Sequence, residues 1–309
     1  MRSGAPLTSW LALAVILTGC STPSSCPRGP FERGVRLYDE ENYAGAAREY
    51  RLAIEDDAMN IRAHFNLAMT HEQMNRPDLA REEYGWILSV CPDDLRASVN
   101  LAAMEIEAGE REVGYARLEG VISRYPTLAM PRVALATHYY REDRLDQAEA
   151  LVKDALQRDP SDVEANFLLG MIVMTRAERL DAEDPVRGDL LKEARKQFEL
   201  SLKNSPNDVP SLLALGRLAR LEGHTDRARD YYRRVTLQKR NAIEAQLALA
   251  DLSEEAGDLE ETAYRLWQIR KIDPKRSEEV SRRLARIYDV LRRQEEGPAP
   301  ASRAVPEEP

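Results

Sequence analysis

The chain has 309 residues, 43% of them hydrophobic and 31% charged, proportions that exclude a disordered chain and a polytopic membrane protein. Its 44 basic against 53 acidic side chains leave a net charge of -9, which argues against a nucleic-acid binder because phosphate binding needs a basic footprint. Aromatics make up only 6%, and the balance suits helices ended by sharp stops better than an all-β domain.

Met1-Arg2 and an apolar run from Trp10 to Leu17 open the chain. The run is too short for a permanent bilayer span and reads as an export signal. It closes in Leu17-Thr18-Gly19-Cys20, which resembles the bacterial lipobox. The resemblance implies that residues 1–19 are a signal peptide and that Cys20 carries a diacylglyceryl lipid anchoring the protein to a membrane. Ser21, standing where an Asp would retain many lipoproteins at the inner membrane, resembles the outer-membrane sorting pattern of Gram-negative bacteria. The location this implies is the periplasmic face of the outer membrane. Residues 20–29 have the composition of a short irregular tether.

From residue 27 the sequence repeats. Segments 27–60, 61–94, 95–128, 129–162, 209–242 and 243–276 have 34 residues each, and segment 163–208 has 46. The eighth position is always small: Gly34, Ala68, Ala102, Ala136, Gly170, Gly216 and Ala250. On a second helix, the twentieth position is Ala46, Ala80, Gly114, Ala148, Ala194 and Ala228, with Thr262 as the exception. Small residues at both places let two helices cross closely. Leu67, Leu101, Leu135, Leu169, Leu215 and Leu249 recur at the seventh position, and Tyr50, Tyr84, Phe198 and Tyr232 at the twenty-fourth. Pro92, Pro126, Pro160, Pro206 and Pro274 stop the second helix, and Asp94, Asp162 and Asp208 stand where the next needs an N-cap. Arg33 breaks the seventh-position pattern in the first segment.

This length and pattern resemble the tetratricopeptide repeat. The fold the resemblance implies is all-α, a right-handed solenoid of about seven helix-turn-helix repeats over residues 30–276. A single helix over 277–293, with Val280, Leu284, Ile287 and Leu291 on one face, reads as its C-terminal cap, and 294–309 as a disordered tail. The twelve extra residues of the fifth segment fall between its helices, at Arg176 to Asp189, as a projecting helical hairpin or an acidic loop. In the closing helix basic residues outnumber acidic ones, which suggests a basic outer face.

No metal-ligand spacing, phosphate-cradling loop or nucleophile motif occurs, so the sequence reads as non-enzymatic, without metal or cofactor. Export would put Cys26 and Cys91 in an oxidising compartment. A bridge between them, two free thiols and an intermolecular bridge are the alternatives.

In tetratricopeptide solenoids the first helices line a concave groove, and their positions 5, 9 and 12 point into it or into the seam between neighbours. Here these positions include Phe65, Met69, Val99, Ile106, Tyr140, Phe167, Met171 and Met174, which predict an apolar groove over the second to fifth repeats. For the position 5 phenylalanines, seam packing is an equal reading. Asn66 and Asn100 resemble asparagines that hold a peptide backbone in such grooves. The implied partner is an apolar or amphipathic segment of another envelope protein. Pilotins, which escort a secretin for type IV pili, are the first choice in this class; adaptors or regulatory subunits of cell-wall or outer-membrane assembly enzymes are the alternative.

Overall fold

The computed structural model describes residues 29–239, 241–273 and 277–296. Residues 1–28, with the signal segment, Cys20 and Cys26, lie outside the described residues. Among the described residues there are fifteen helices and no strand. Two compact units divide the chain, Met1–Asp159 and Pro160–Pro309.

The first unit contains α1 (Pro30–Asp39), α2 (Tyr43–Asp56), α3 (Ile61–Gln73), α4 (Pro77–Val90), α5 (Leu95–Glu107), α6 (Arg111–Arg124), α7 (Met130–Arg141) and α8 (Leu145–Arg158). The second contains α9 (Val163–Glu178), α10 (Pro185–Asn204), α11 (Val209–Leu221), α12 (Thr225–Gln238), α13 (Ile243–Glu255), α14 (Leu259–Ile272) and α15 (Ser277–Glu296). Odd-numbered helices up to α13 are the A helices of successive pairs, and even-numbered ones the B helices. Each A helix packs on its own B helix, and within a unit each B helix packs on the next A helix. This is the helix-pair packing of a tetratricopeptide solenoid.

The close crossing rests on the small positions. At Gly34, Gly170 and Gly216 an added Cβ would sit 2.6, 2.5 and 2.6 Å from the rings of Tyr50, Phe198 and Tyr232. In these three repeats glycine leaves the room the ring fills, whereas in the second repeat Ala68 stands at position 8 in the same cluster as Tyr84. Thr262, the exception at position 20, is fully buried and donates its hydroxyl to the Asp258 carbonyl at 2.7 Å, so it adds no unsatisfied group.

A regular turn joins A to B. Glu41, Asn75, Gly109, Asp143, Gly223 and Gly257, all at position 15, adopt positive φ. At each of them the following N–H reaches back five residues, as in Asn42 to Leu37, Arg76 to His71 and Gly223's neighbour His224 to Ala219. This satisfies the last carbonyls of the A helix by the Schellman arrangement. From B to A, the Asp94, Asp162 and Asp208 carboxylates accept the N–H of Ala97, Ala165 and Ser211 as N-caps, and Asn60 does the same for Ala63.

The fifth repeat loses the position 15 turn, because Ala177 stays helical. Its extra residues lengthen both helices, to 16 residues in α9 and 20 in α10 against 13 and 14 in the following pair. Only residues 179–184 connect them, so of the two alternatives the segment is the helical hairpin and not the acidic loop. The Asp184 carboxylate caps α10 by accepting the Val186 N–H.

Helix α15 closes the second unit, packing Val280, Leu284 and Ile287 against Ala263, Leu266 and Ile269. It runs to Glu296, beyond the expected end at 293, so residues 294–296 are helical rather than tail. Arg283 does not belong to a free basic face; it pairs with Asp251 at 2.7 Å and with Glu254. At the other end, Arg33 replaces a core leucine because its position is half-exposed on the first pair, where it joins Glu49 at 2.8 Å.

Candidate functional site

Successive A helices touch one another, α1 with α3 and α5 with α7 in the first unit and α9 with α11 in the second; no comparable contact joins neighbouring B helices. The tight side of each unit is therefore its A-helix face. On a curved stack that is the inner side.

The structure corrects the apolar lining expected there. Phe65, Val99, Ile106 and Met174 are buried, and Met69 is only 9% exposed. Phe65 packs edge-on against Tyr84 with centroids 5.6 Å apart, and the Arg96 guanidinium from the next repeat covers its other side at 4.5 Å. Phe31 repeats this arrangement with Tyr50 and Arg62. Position 5 is thus seam packing, sealed by an arginine at position 2 of the following repeat. Met69 shares a cluster with Leu101 and Met104, whereas Val99 and Ile106 pack with Leu118 and Leu135. Phe167, half-buried, lies against Phe198, and Met171 is half-buried on α9.

The asparagines are also engaged. Asn100 donates to the Tyr84 hydroxyl at 2.8 Å, and Asn66 to the Tyr50 hydroxyl at a longer 3.5 Å. Position 6 therefore ties one repeat to the position 24 tyrosine of the repeat before it. A peptide backbone would have to use the amide groups these bonds leave over.

Half-buried side chains remain on the inner face of the first unit: Val35, Tyr38, Glu72, Ala103, Thr137 and Tyr140. The surface is mixed rather than apolar. Glu72 is its most unusual member. The buried Tyr84 hydroxyl donates to Glu72 Oε1 at 2.5 Å while accepting from Asn100, so the carboxylate ends a three-residue chain. Burial holds the Glu72 carboxyl above its ordinary range, the Tyr84 bond pulling the other way and the Glu107 charge adding to the rise. Burial likewise pushes the Tyr38 hydroxyl up to about 12, helped by Tyr43 and Glu72.

The second unit's inner face is rich in ion pairs between helices. Glu178 on α9 pairs with Arg217 on α11 at 2.7 Å, and Arg220 on α11 with Glu255 on α13 at 2.7 Å. Arg283 of α15 continues the ladder to Asp251. Its charges neutralise one another across repeats.

Three of the four histidines, His64, His71 and His138, are buried. His64 stacks on Trp86 with ring centroids 3.5 Å apart and bonds Glu83 at 2.6 Å. His71 and His138 are 2% and 3% exposed, each with one ring nitrogen that has no hydrogen-bond partner. Among the described residues no group of three or more His, Cys, Asp or Glu is placed to hold a metal ion, and no helix is long and apolar enough to cross a membrane. Cys91 is half-buried at the end of α4; its candidate partner lies outside the described residues.

A position missed by sequence reading is the position 15 turn, whose signal is the spacing of Asn75, Gly109, Gly223 and Gly257 at the repeat period. Glu72 was readable only as a groove position. Its link to Tyr84 depends on packing.

The tetratricopeptide-repeat family model matches residues 31–85 and 133–183, so the chain carries tetratricopeptide repeats. Its fold is similar to that of a tetratricopeptide repeat protein from Parabacteroides merdae, at 14% identity and TM-score 0.54 over 84% of this chain and 97% of that one. Human IFIT1, solved as a dimer with m7Gppp-AAAA, matches at 18% identity and TM-score 0.63 over 88% of this chain and 65% of its own. The APC/C hetero-tetramer Cut9-Hcn1 matches at 12% identity and TM-score 0.59, over 84% of this chain and 55% of that one. This chain thus spans less than two thirds of the last two. No curated protein matches it in sequence. At these identities the structural likenesses bear on the fold alone. Tetratricopeptide folds serve as protein-interaction scaffolds, and that is the class the repeats define.

Proposed function

We propose that the protein is a non-enzymatic scaffold, anchored by lipid at Cys20, that holds an amphipathic segment of another envelope protein on the A-helix face of its first unit. The observation that carries this reading is the mixed inner face of the first unit. Glu107 and Arg141 pair across it at 3.0 Å, as inner charges do in the second unit, but it also presents Val35, Tyr38, Thr137 and Tyr140 around Glu72, a carboxylate whose hydrogen-bond partner among the described residues is a tyrosine hydroxyl. A surface that is part apolar and part polar fits an amphipathic segment better than a purely apolar one. The burial of Met69 and Ile106 moves the reading in that direction. Anchoring rests on Leu17-Thr18-Gly19-Cys20 closing the apolar run.

Photo-crosslinking in native membranes tests the face. A benzophenone side chain at Tyr38 or Tyr140 should give a discrete adduct that the same group at exposed Arg48 does not; equal labelling from all three positions would place the partner elsewhere. Cys20→Ser should abolish lipid labelling and membrane fractionation together, and unchanged fractionation with unchanged labelling removes the anchor. Within this class a secretin is the client we favour, on the architecture of a lipobox followed by tetratricopeptide repeats, in which the chain looks like pilotins. Normal secretin assembly at the outer membrane of a deletion strain would exclude it.

A further inference from the structure

Five inner-face carboxylates, Glu107, Glu178, Asp251, Glu254 and Glu255, lie beside an arginine of a neighbouring helix, as in Glu107 with Arg141 at 3.0 Å. Glu72 does not. No described cation lies within ion-pair distance of it, and the charge that acts on it is that of another carboxylate, Glu107. Its environment is nevertheless built. Oε1 is fixed by the Tyr84 hydroxyl at 2.5 Å, and that hydroxyl is fixed in turn by Asn100 at 2.8 Å, on a tyrosine with no exposed surface. The second oxygen, Oε2, keeps its acceptor capacity. A partly desolvated carboxylate held in one geometry gains more from a cation than a mobile surface one does, because its attraction is less screened and little rotamer freedom is left to lose.

The field around it has the same sign. Residues 29–159 carry 25 acidic against 16 basic side chains, whereas residues 160–296 carry 26 against 25. The chain's negative charge therefore resides in the unit that holds Glu72, which favours approach of a basic segment.

We propose that Glu72 is a receptor for a cationic side chain, a lysine or arginine of the partner segment, and that it sets which segments the first unit accepts. The inference rests on the reading of this face as the partner site. The partner's ammonium or guanidinium group takes the place that Arg141 takes beside Glu107, with the neighbouring apolar residues of the segment lying along Tyr38 and Ala103.

Random dodecapeptides displayed on phage, selected on the immobilised full-length chain, test it. The wild-type protein should enrich peptides with a Lys or Arg at one fixed position. A synthetic copy of a recovered peptide should bind at least tenfold more tightly than the copy with norleucine at that position. Glu72→Gln keeps an oxygen for the Tyr84 hydroxyl and removes only the charge; with an unchanged melting curve, it should bind both peptides alike. Peptides enriched without a basic position, or a Lys preference that survives in Glu72→Gln, would overturn the assignment while leaving the face as a binding site. If Tyr38→Glu and Tyr140→Glu capture the same peptides as wild type, the face itself is wrong and the assignment falls with it.

Discussion

The first unit should be the acid-sensitive half of the protein, and His71 and His138 are the reason. Both are almost fully buried, and burial, aided by Arg51 and Arg76 for His71 and by Arg141 for His138, lowers their pKa from 6.5 to about 4. Glu142 acts in the other direction at His138 but does not restore the usual value. The folded pKa lies below the unfolded one, so the neutral imidazoles contribute stability that is complete above about pH 6.5 and is lost as the pH falls towards 4. At pH 4.5 each histidine forfeits about 2–3 kcal/mol by this linkage, and the two together are comparable with the whole stability of a domain. Glu72, whose carboxyl is raised by burial, offsets part of the loss. Asp154 and Glu110, lowered by hydrogen bonds to Arg132 and Arg81, lose their contributions only at more acid pH. Urea denaturation followed by circular dichroism at pH 7.0, 5.5 and 4.5 measures the effect. The wild type should lose stability steeply across this window, and the double variant His71→Gln/His138→Gln, whatever its stability at pH 7, should show a much flatter dependence. An equal slope in both proteins would refute the reasoning and place the acid sensitivity on other groups.

Three other outcomes follow from the packing. Gly170→Ala puts a methyl 2.5 Å from the Phe198 ring and should cost about 1–3 kcal/mol in urea denaturation, with Phe198→Leu restoring part of it. Asn100→Ala should cost about 1–2 kcal/mol for the 2.8 Å bond to Tyr84, and Asn66→Ala clearly less for its 3.5 Å contact; equal losses would show that the amides act through packing alone. Met69→Glu should unfold the first unit because it buries a charge, whereas Met171→Glu, at a half-buried site, should melt close to wild type; calorimetry separates the two.

The sequence by itself determined most of what depends on neighbours along the chain, the position 15 turn excepted. The 34-residue period, the stops at Pro92 and Pro160, the caps at Asp94, Asp162 and Asp208 and the closing helix with Val280, Leu284 and Ile287 are local or periodic signals, and each is found where the pattern puts it. Groove composition was a different matter. Positions 9 and 12 lie at the border between seam and solvent, and whether a side chain there is lined up with a partner or enclosed depends on how closely successive A helices approach. That approach buried Ile106 and Met174 but left Tyr38, Glu72 and Tyr140 half-open. Asn66 and Asn100 read equally well as peptide holders until the tyrosine of the preceding repeat came within reach, sixteen residues away in sequence. The fixed carboxylate of Glu72 is likewise a product of packing, since it joins α3, α4 and α5; the tyrosine and asparagine of that chain follow the repeat period, but the glutamate at position 12 does not. Local energetics set the helices and their ends; only tertiary contact decided which of their side chains were left over to meet a partner.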